Sequence, residues 1–183
     1  MPIQLIPDIC PHCEGVRKFS TFHNLGCPAR IEVYHPTEIY PGLWVGSVET
    51  RCDPRFTAVV SILTEGEMSY FRQVEIPKCA MHHVDHADRS AGLIYESGVV
   101  AKLADAYKFV DDARSDRDHN DILFHCGAGA SRSTSALIGY ALTRGLDNIS
   151  DAFENMLAKR PLAMNMWHGF VEELQNLSDG LPK

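Results

Sequence analysis

The sequence predicts an α/β protein with a central, mostly parallel twisted sheet of about four to five strands flanked by helices. Two observations lead there. From residue 31 onward, short β-type runs (Ile31–Tyr34, Leu43–Val45, Thr57–Leu63, Met81–His86 and Ile122–His125) alternate with longer helical patterns. Between the last two runs, Val99, Leu103, Ala106, Val110 and Ala113 share one face of a helix over 97–114. That helix supplies the crossover that parallel strands require.

The remaining elements follow in chain order. A helix is expected over about 131–143, stopped near Gly145, and another over 149–159, ended before Pro161. Trp167, Phe170, Val171, Leu174 and Leu177 then form an apolar stripe. At 183 residues the chain suits one domain with decorated ends. We divide it into a Cys- and His-containing extension over 1–30, a catalytic-type domain over 31–178 and a short tail over 179–183.

A hydrophobic fraction of 45% and a charged fraction of 22% are ordinary for a folded globular chain. No apolar run approaches the roughly 20 residues that cross a bilayer, so no membrane is expected as a partner and cytoplasmic residence is the simplest expectation. The formal net charge of −7 disfavours nucleic acid and anionic membrane surfaces. Any anion site has to be built locally.

The stretch that carries chemistry is Ile122-Leu123-Phe124-His125-Cys126-Gly127-Ala128-Gly129-Ala130-Ser131-Arg132-Ser133. A strand delivers a cysteine into a loop of small residues that opens into a helix. Successive backbone N–H groups of Gly127, Ala128, Gly129, Ala130, Ser131 and Arg132 can converge on an anion there, and the helix adds the positive end of its dipole. A thiol in that field has its pKa lowered from about 8.5 to roughly 3.5–7.5, which makes Cys126 a nucleophile at neutral pH. Arg132 offers a planar fork for two phosphoryl oxygens, which a lysine cannot reproduce. The bare Cys-x5-Arg spacing is common by chance. Its conjunction with a preceding strand, His125, small loop residues and a following helix is not.

His125-Cys126-x-x-Gly129-x-x-Arg132-Ser133 resembles the signature of the protein tyrosine phosphatase superfamily, and Ala128-Gly129 with Ser131-Arg132-Ser133 is most similar to its dual-specificity branch. Ile39-Tyr40-Pro41-Gly42-Leu43-Trp44-Val45-Gly46-Ser47 resembles the opening strand of that domain, and Arg160-Pro161 with Asn165 and Phe170 its closing segment. The resemblance implies a phosphoric monoester hydrolase in which Cys126 forms a phosphocysteine intermediate that water hydrolyses. It implies that Ser133 hydrogen-bonds the departing thiolate, the alternative for Ser133 being a cap of the helix N-terminus. His125 is expected to fix the loop from behind rather than carry a proton.

The leaving oxygen needs a proton from a carboxylic acid on a neighbouring loop. Asp85 and Asp88 are the candidates, and the family pattern favours Asp88, just beyond the strand, over Asp85, still within it. No cofactor is expected for catalysis. Cys10, Cys13, His23 and Cys27 are of zinc-ligand type, although free thiols in the extension are the first expectation. His82, His83 and His86 are expected to pack near the site rather than hold a metal, because neighbours on a strand face opposite ways. Cys52 and Cys79 are expected to be small buried hydrophobes, with a protective disulfide to Cys126 as the alternative.

Without a lysine or second arginine between Cys126 and Arg132, the loop argues against phosphoinositide headgroups. It also differs from the loop of RNA 5′-phosphatases. A phosphorylated protein bearing phosphotyrosine, and also phosphoserine or phosphothreonine, is the expected partner. The competing expectations are a noncatalytic phosphoprotein-binding module and, more distantly, a sulfurtransferase or arsenate reductase.

Overall fold

A computed structural model describes residues 35–51, 53–71, 80–85, 103–116 and 121–181 of the chain. Among these, five strands form one sheet in the order β1-β2-β5-β3-β4. They are β1 (Thr37–Tyr40), β2 (Leu43–Ser47), β3 (Ala58–Leu63), β4 (Ala80–Asp85) and β5 (Ile122–Cys126). β2, β5, β3 and β4 run parallel, and β1 adds an antiparallel edge. The expected four- to five-stranded, mostly parallel sheet is therefore present.

Thr37–Tyr40 was not among the expected strands; residues 39–47, expected as one opening strand, are divided by a turn at Pro41-Gly42 into the end of β1 and β2, and the run at 31–34 lies outside the described residues. Thr37–Tyr40 carries one fully buried residue, Ile39, beside exposed Glu38, so its apolar signal is weak. What makes it a strand is the turn that follows. Pro41 presets the first corner and Gly42 takes a positive φ of 73° in the second, the sequence a tight reversal favours. β2 then lies directly beside β5, with Ser47 opposite Cys126.

Alternation divides the strand residues between two faces. Ala58, Val60, Ile62, Ile122 and Phe124 face the main core with the helices. Val59 and Leu123 face the other side with Phe56 and Trp44, where the Trp44 indole N–H donates to Asp121 Oδ1 at 2.7 Å. The packed helices are α1 (Glu65–Phe71), α2 (Ala104–Ser115), α3 (Arg132–Thr143), α4 (Ile149–Lys159) and α5 (His168–Gly180), with a 3-10 turn at Pro161–Asn165.

α2 buries Ala106, Val110 and Ala113 from the stripe its periodicity predicts, and Tyr107 besides; the expected stretch 97–102 lies outside the described residues. α4 is capped by Asn148, whose side chain accepts from Asp151 N–H at 3.1 Å. On α5, Phe170 and Leu174 are buried and Val171 and Leu177 pack at the rim. α1 was missed because Glu-Gly-Glu-Met-Ser-Tyr-Phe offers no apolar period over its seven residues.

α3 is the hub. Every residue from Arg132 to Leu142 is buried, because the helix is covered by the sheet on one side and by α4 and α5 on the other. Its polar residues near the N-terminus, Ser133, Thr134 and Ser135, are buried as well, and the Thr134 and Ser135 hydroxyls donate to backbone carbonyls of the preceding turn. Farther along, Tyr140 OH donates to Asp111 Oδ1 at 2.8 Å, and Arg144 Nη2 donates to Asp111 Oδ2 at 2.5 Å, tying α3 to α2. Among the described residues no helix is long and apolar enough to cross a membrane.

Phe124 is fully buried on the central strand in the main core. Phe124→Ala should therefore cost about 3–5 kcal/mol. Urea titration should read this as a lower midpoint with an unchanged slope.

Candidate active site

β5 ends at Cys126 and α3 begins at Arg132, so residues 127–131 form the loop between the central parallel strand and the buried helix. Crevices at the carboxyl ends of parallel strands are where such sheets leave room for ligands. The carbonyls of Gly127, Gly129, Ala130 and Ser131 in this loop are taken up by the surrounding protein. Gly127 O accepts from Val48 N–H at 3.2 Å. Gly129 O accepts from Arg160 Nε at 2.7 Å. Ala130 O accepts from Thr134 Oγ1 at 2.9 Å, and Ser131 O from Ser135 N–H at 2.9 Å and from Thr134 Oγ1 at 2.8 Å.

In a trans peptide the C=O and the next N–H point in opposite directions, and no cis bond occurs among the described residues. The N–H groups of Ala128, Ala130, Ser131 and Arg132 are therefore turned away from those donors. Such an arrangement can offer amides to an anion. Gly129 adopts a positive φ of 70°, and a side chain there would run into the Gly46 backbone at 2.6 Å. Glycine is demanded at this position by both conformation and space.

Cys126 is buried, 2% exposed, with Sγ 3.3 Å from Ser133 Oγ. Ser133 is the second residue of α3, so its hydroxyl faces the thiol and the alternative of an N-cap does not hold. Ser131 occupies the cap position without a capping hydrogen bond from its side chain; its Oγ instead accepts from Trp167 N–H at 3.1 Å.

The Arg132 guanidinium is gripped by Glu67, with Nη1 donating to Oε2 at 2.7 Å and Nη2 to Oε1 at 3.0 Å. This fork-to-fork pair fixes the plane of the guanidinium. Burial works to raise the Glu67 carboxyl, but hydrogen bonds and charge from Arg132 and the bonds from Thr64 outweigh it and hold the group below its ordinary range.

Glu67 is itself held by a capping box. Thr64 Oγ1 accepts from Glu67 N–H at 3.1 Å, and Glu67 Oε2 accepts from Thr64 N–H at 2.8 Å. Glu67 was not among the expected site residues, although Thr64-x-x-Glu67 is a legible helix-start signal. What the signal could not give is the identity of its distant partner.

His125 is fully shielded, and burial pushes its imidazole down to about 3, with the Arg51, Arg132 and His83 charges adding to the effect. It is a neutral ring at physiological pH, in keeping with a supporting position beneath the loop. His83 Nε2 lies 2.8 Å from Leu63 O, and His82 stacks on Phe109 at 5.7 Å. Among the described residues no group of three or more His, Cys, Asp or Glu could hold a metal.

Asp85 closes β4, in register with Leu63. Asp88, His86, Cys52, Cys79 and the four zinc-type residues Cys10, Cys13, His23 and Cys27 lie outside the described residues. The structure thus brings together Cys126, Ser133, Arg132 and the loop 127–131, adds Glu67 and Arg160, and leaves the acid unplaced.

A buried cysteine ends a central parallel strand and faces a hydroxyl at the start of the next helix, which opens on Arg132. The model of the dual specificity phosphatase catalytic domain matches residues 47–179, and the chain belongs to that family. It is 27% identical over 154 residues to the dual specificity protein phosphatase Mpk3 of Drosophila melanogaster, covering 80% of this chain and 34% of that protein. It is 30% identical over 148 residues to dual specificity protein phosphatase 1 of Arabidopsis thaliana, covering 80% and 70%. The chain therefore spans about a third of the first relative and most of the second.

Among solved structures, the human tyrosine phosphatase-like serine/threonine/tyrosine-interacting protein superposes with a TM-score of 0.63 at 21% identity, over 77% of this chain and 93% of that one. Human DUSP28 gives 0.61 at 19% identity, over 79% and 93%. These two likenesses are ones of fold.

Two measurements check the electrostatics and the capping. Between pH 6.5 and 3 an unfolded chain protonates His125 while the folded one does not, so folding stability must fall as pH falls through that window. From pH 7 to 5.5 this share is about 1 kcal/mol. Chemical unfolding should show a shallower pH dependence for His125→Gln than for wild type, by about that amount. Thr64→Ala removes one arm of the capping box and should lower stability by about 1 kcal/mol in the same assay.

Proposed function

We propose that the chain is a phosphoprotein phosphatase that hydrolyses phosphotyrosine, and also phosphoserine or phosphothreonine, through a phosphocysteine intermediate. The observation that carries this is the juxtaposition of Cys126 Sγ with Ser133 Oγ at 3.3 Å, beside a loop whose carbonyls are drawn outward. Family membership supports the reaction class.

In the first step the Cys126 thiolate attacks phosphorus and the P–O bond to the substrate breaks. The leaving oxygen takes a proton from Asp88, assigned on the family pattern, and the loop amides with Arg132 hold the three phosphoryl oxygens. Arg132 meets the phosphoryl group with another edge of its guanidinium while Glu67 holds Nη1 and Nη2. In the second step water attacks phosphorus, giving its proton to the Asp88 carboxylate. The S–P bond breaks as Ser133 donates a hydrogen bond to the departing thiolate, and inorganic phosphate leaves.

His125 is neutral and buried, and its role is to support the loop. Nothing in this sequence of steps calls for a metal. A thiolate nucleophile requires a reducing compartment, for which the cytoplasm is the natural assignment.

Phosphate release from p-nitrophenyl phosphate and from phosphotyrosine and phosphothreonine peptides, in reductant and chelator, tests this directly. Wild type should turn over. Cys126→Ser should be inert yet retain phosphopeptide, and Arg132→Lys should lose about 10²–10³-fold in kcat/KM. Asp88→Asn should lose at least about 10²-fold while Asp85→Asn stays near wild type; the reverse ranking would move the acid to Asp85. Phosphopeptide binding by a wild-type protein that releases no phosphate would instead make the chain a binding module.

A further inference from the structure

Arg160 follows α4 and is fully buried, the largest side chain so placed among the described residues. An arginine remains charged in proteins, and burying a charge is costly unless its hydrogen bonds are made. For bracing alone, well-packed apolar side chains serve as well or better than buried ions. The partners of Arg160 point to a more specific duty. Nε donates to Gly129 O at 2.7 Å, and Nη1 donates to Thr37 Oγ1 at 2.8 Å and to His35 O at 3.1 Å. Nη2 lies 2.6 Å from where a side chain on Gly129 would begin, so the guanidinium packs against the loop itself.

We propose that Arg160 is a positioning residue for the anion loop, drawing the Gly129 carbonyl outward so that the next amide, that of Ala130, is held toward the bound phosphoryl group. This rests on the phosphatase assignment above. Two physical effects follow from the contact. The 129–130 peptide plane, placed by a glycine that could otherwise turn freely, is locked in one orientation. A cation on its oxygen polarises the peptide, which makes the Ala130 N–H a stronger donor. Thr37 on β1 and the backbone of His35 in turn fix the other arm of the guanidinium, so the edge strand reaches the site through one side chain. A lysine retains the charge but not the fork.

The test uses the full reduced chain. Alkylation of Cys126 by iodoacetamide is followed by mass spectrometry as a function of pH, with and without inorganic phosphate, alongside the urea midpoint. For folded Arg160→Lys, phosphate protection should weaken about tenfold, the size expected for one charge-assisted hydrogen bond, and the midpoint of the alkylation profile should move to higher pH. A purely structural brace would lower the urea midpoint and leave protection and profile at wild-type values, and that result overturns the proposal.

If Arg160→Lys does not fold, Thr37→Val removes one of the two hydrogen bonds on Nη1 without touching the loop. Protection should then weaken about two- to threefold, a fraction of one hydrogen bond, and unchanged protection again overturns the proposal. A wild-type protein that phosphate fails to protect overturns the phosphatase assignment together with this inference. Protected wild type with unmoved variants overturns this inference alone.

Discussion

A loop that offers its amides to an anion must send its carbonyls the other way, into protein, where each needs a donor. Much of the architecture around residues 127–131 is the answer to that requirement. Val48, just beyond β2, supplies a backbone N–H to Gly127 O. Thr134 and Ser135, in the first turn of α3, serve Ala130 O and Ser131 O. Arg160, from the far end of α4, serves Gly129 O. Two of these donors, Val48 and Arg160, come from distant parts of the chain, so the loop's shape is a property of the folded domain as well as of its own sequence.

Charge is arranged around this loop in the same economical way. Arg132 and Arg160 bring cations from two sides, and His125, desolvated beneath the loop, stays neutral. A protonated imidazole there would face Arg51 and Arg132 in a dry environment. The carboxylate of Glu67 is the counterweight. It keeps the Arg132 guanidinium in one plane, and the capping box keeps the carboxylate itself at the start of α1. A helix-start motif therefore determines how the Arg132 guanidinium is held, although Glu67 and Arg132 lie 65 residues apart in sequence.

Legibility in the sequence followed the length scale of the interactions. β5, α3, α4 and the core face of α2 were readable because strand alternation, helix periodicity, Gly145 and Pro161 are local signals. The thiol, the arginine and the hydroxyl were readable because seven consecutive positions, 126–132, with Ser133 next, confine them to one turn of chain. β1 and α1 were not readable. Ile39 is a single apolar residue in a four-residue edge, and α1 is seven residues without an apolar period, so each depends on what packs beside it. For Ser133, sequence allowed both a cap and a hydroxyl facing the thiol, and packing decided between them by setting the helix start at Arg132.

The sequence by itself determined the α/β class, the cysteine, arginine and hydroxyl of the loop, and the small size of the residues between them. These follow from chain geometry over a few residues, where spacing is position. The tertiary structure alone decided which residues complete the loop from afar: Glu67 on Arg132, Val48 on Gly127 and Arg160 on Gly129. Contacts across tens of residues depend on how strands are ordered and helices laid over them, and no local pattern encodes the meeting of two distant side chains.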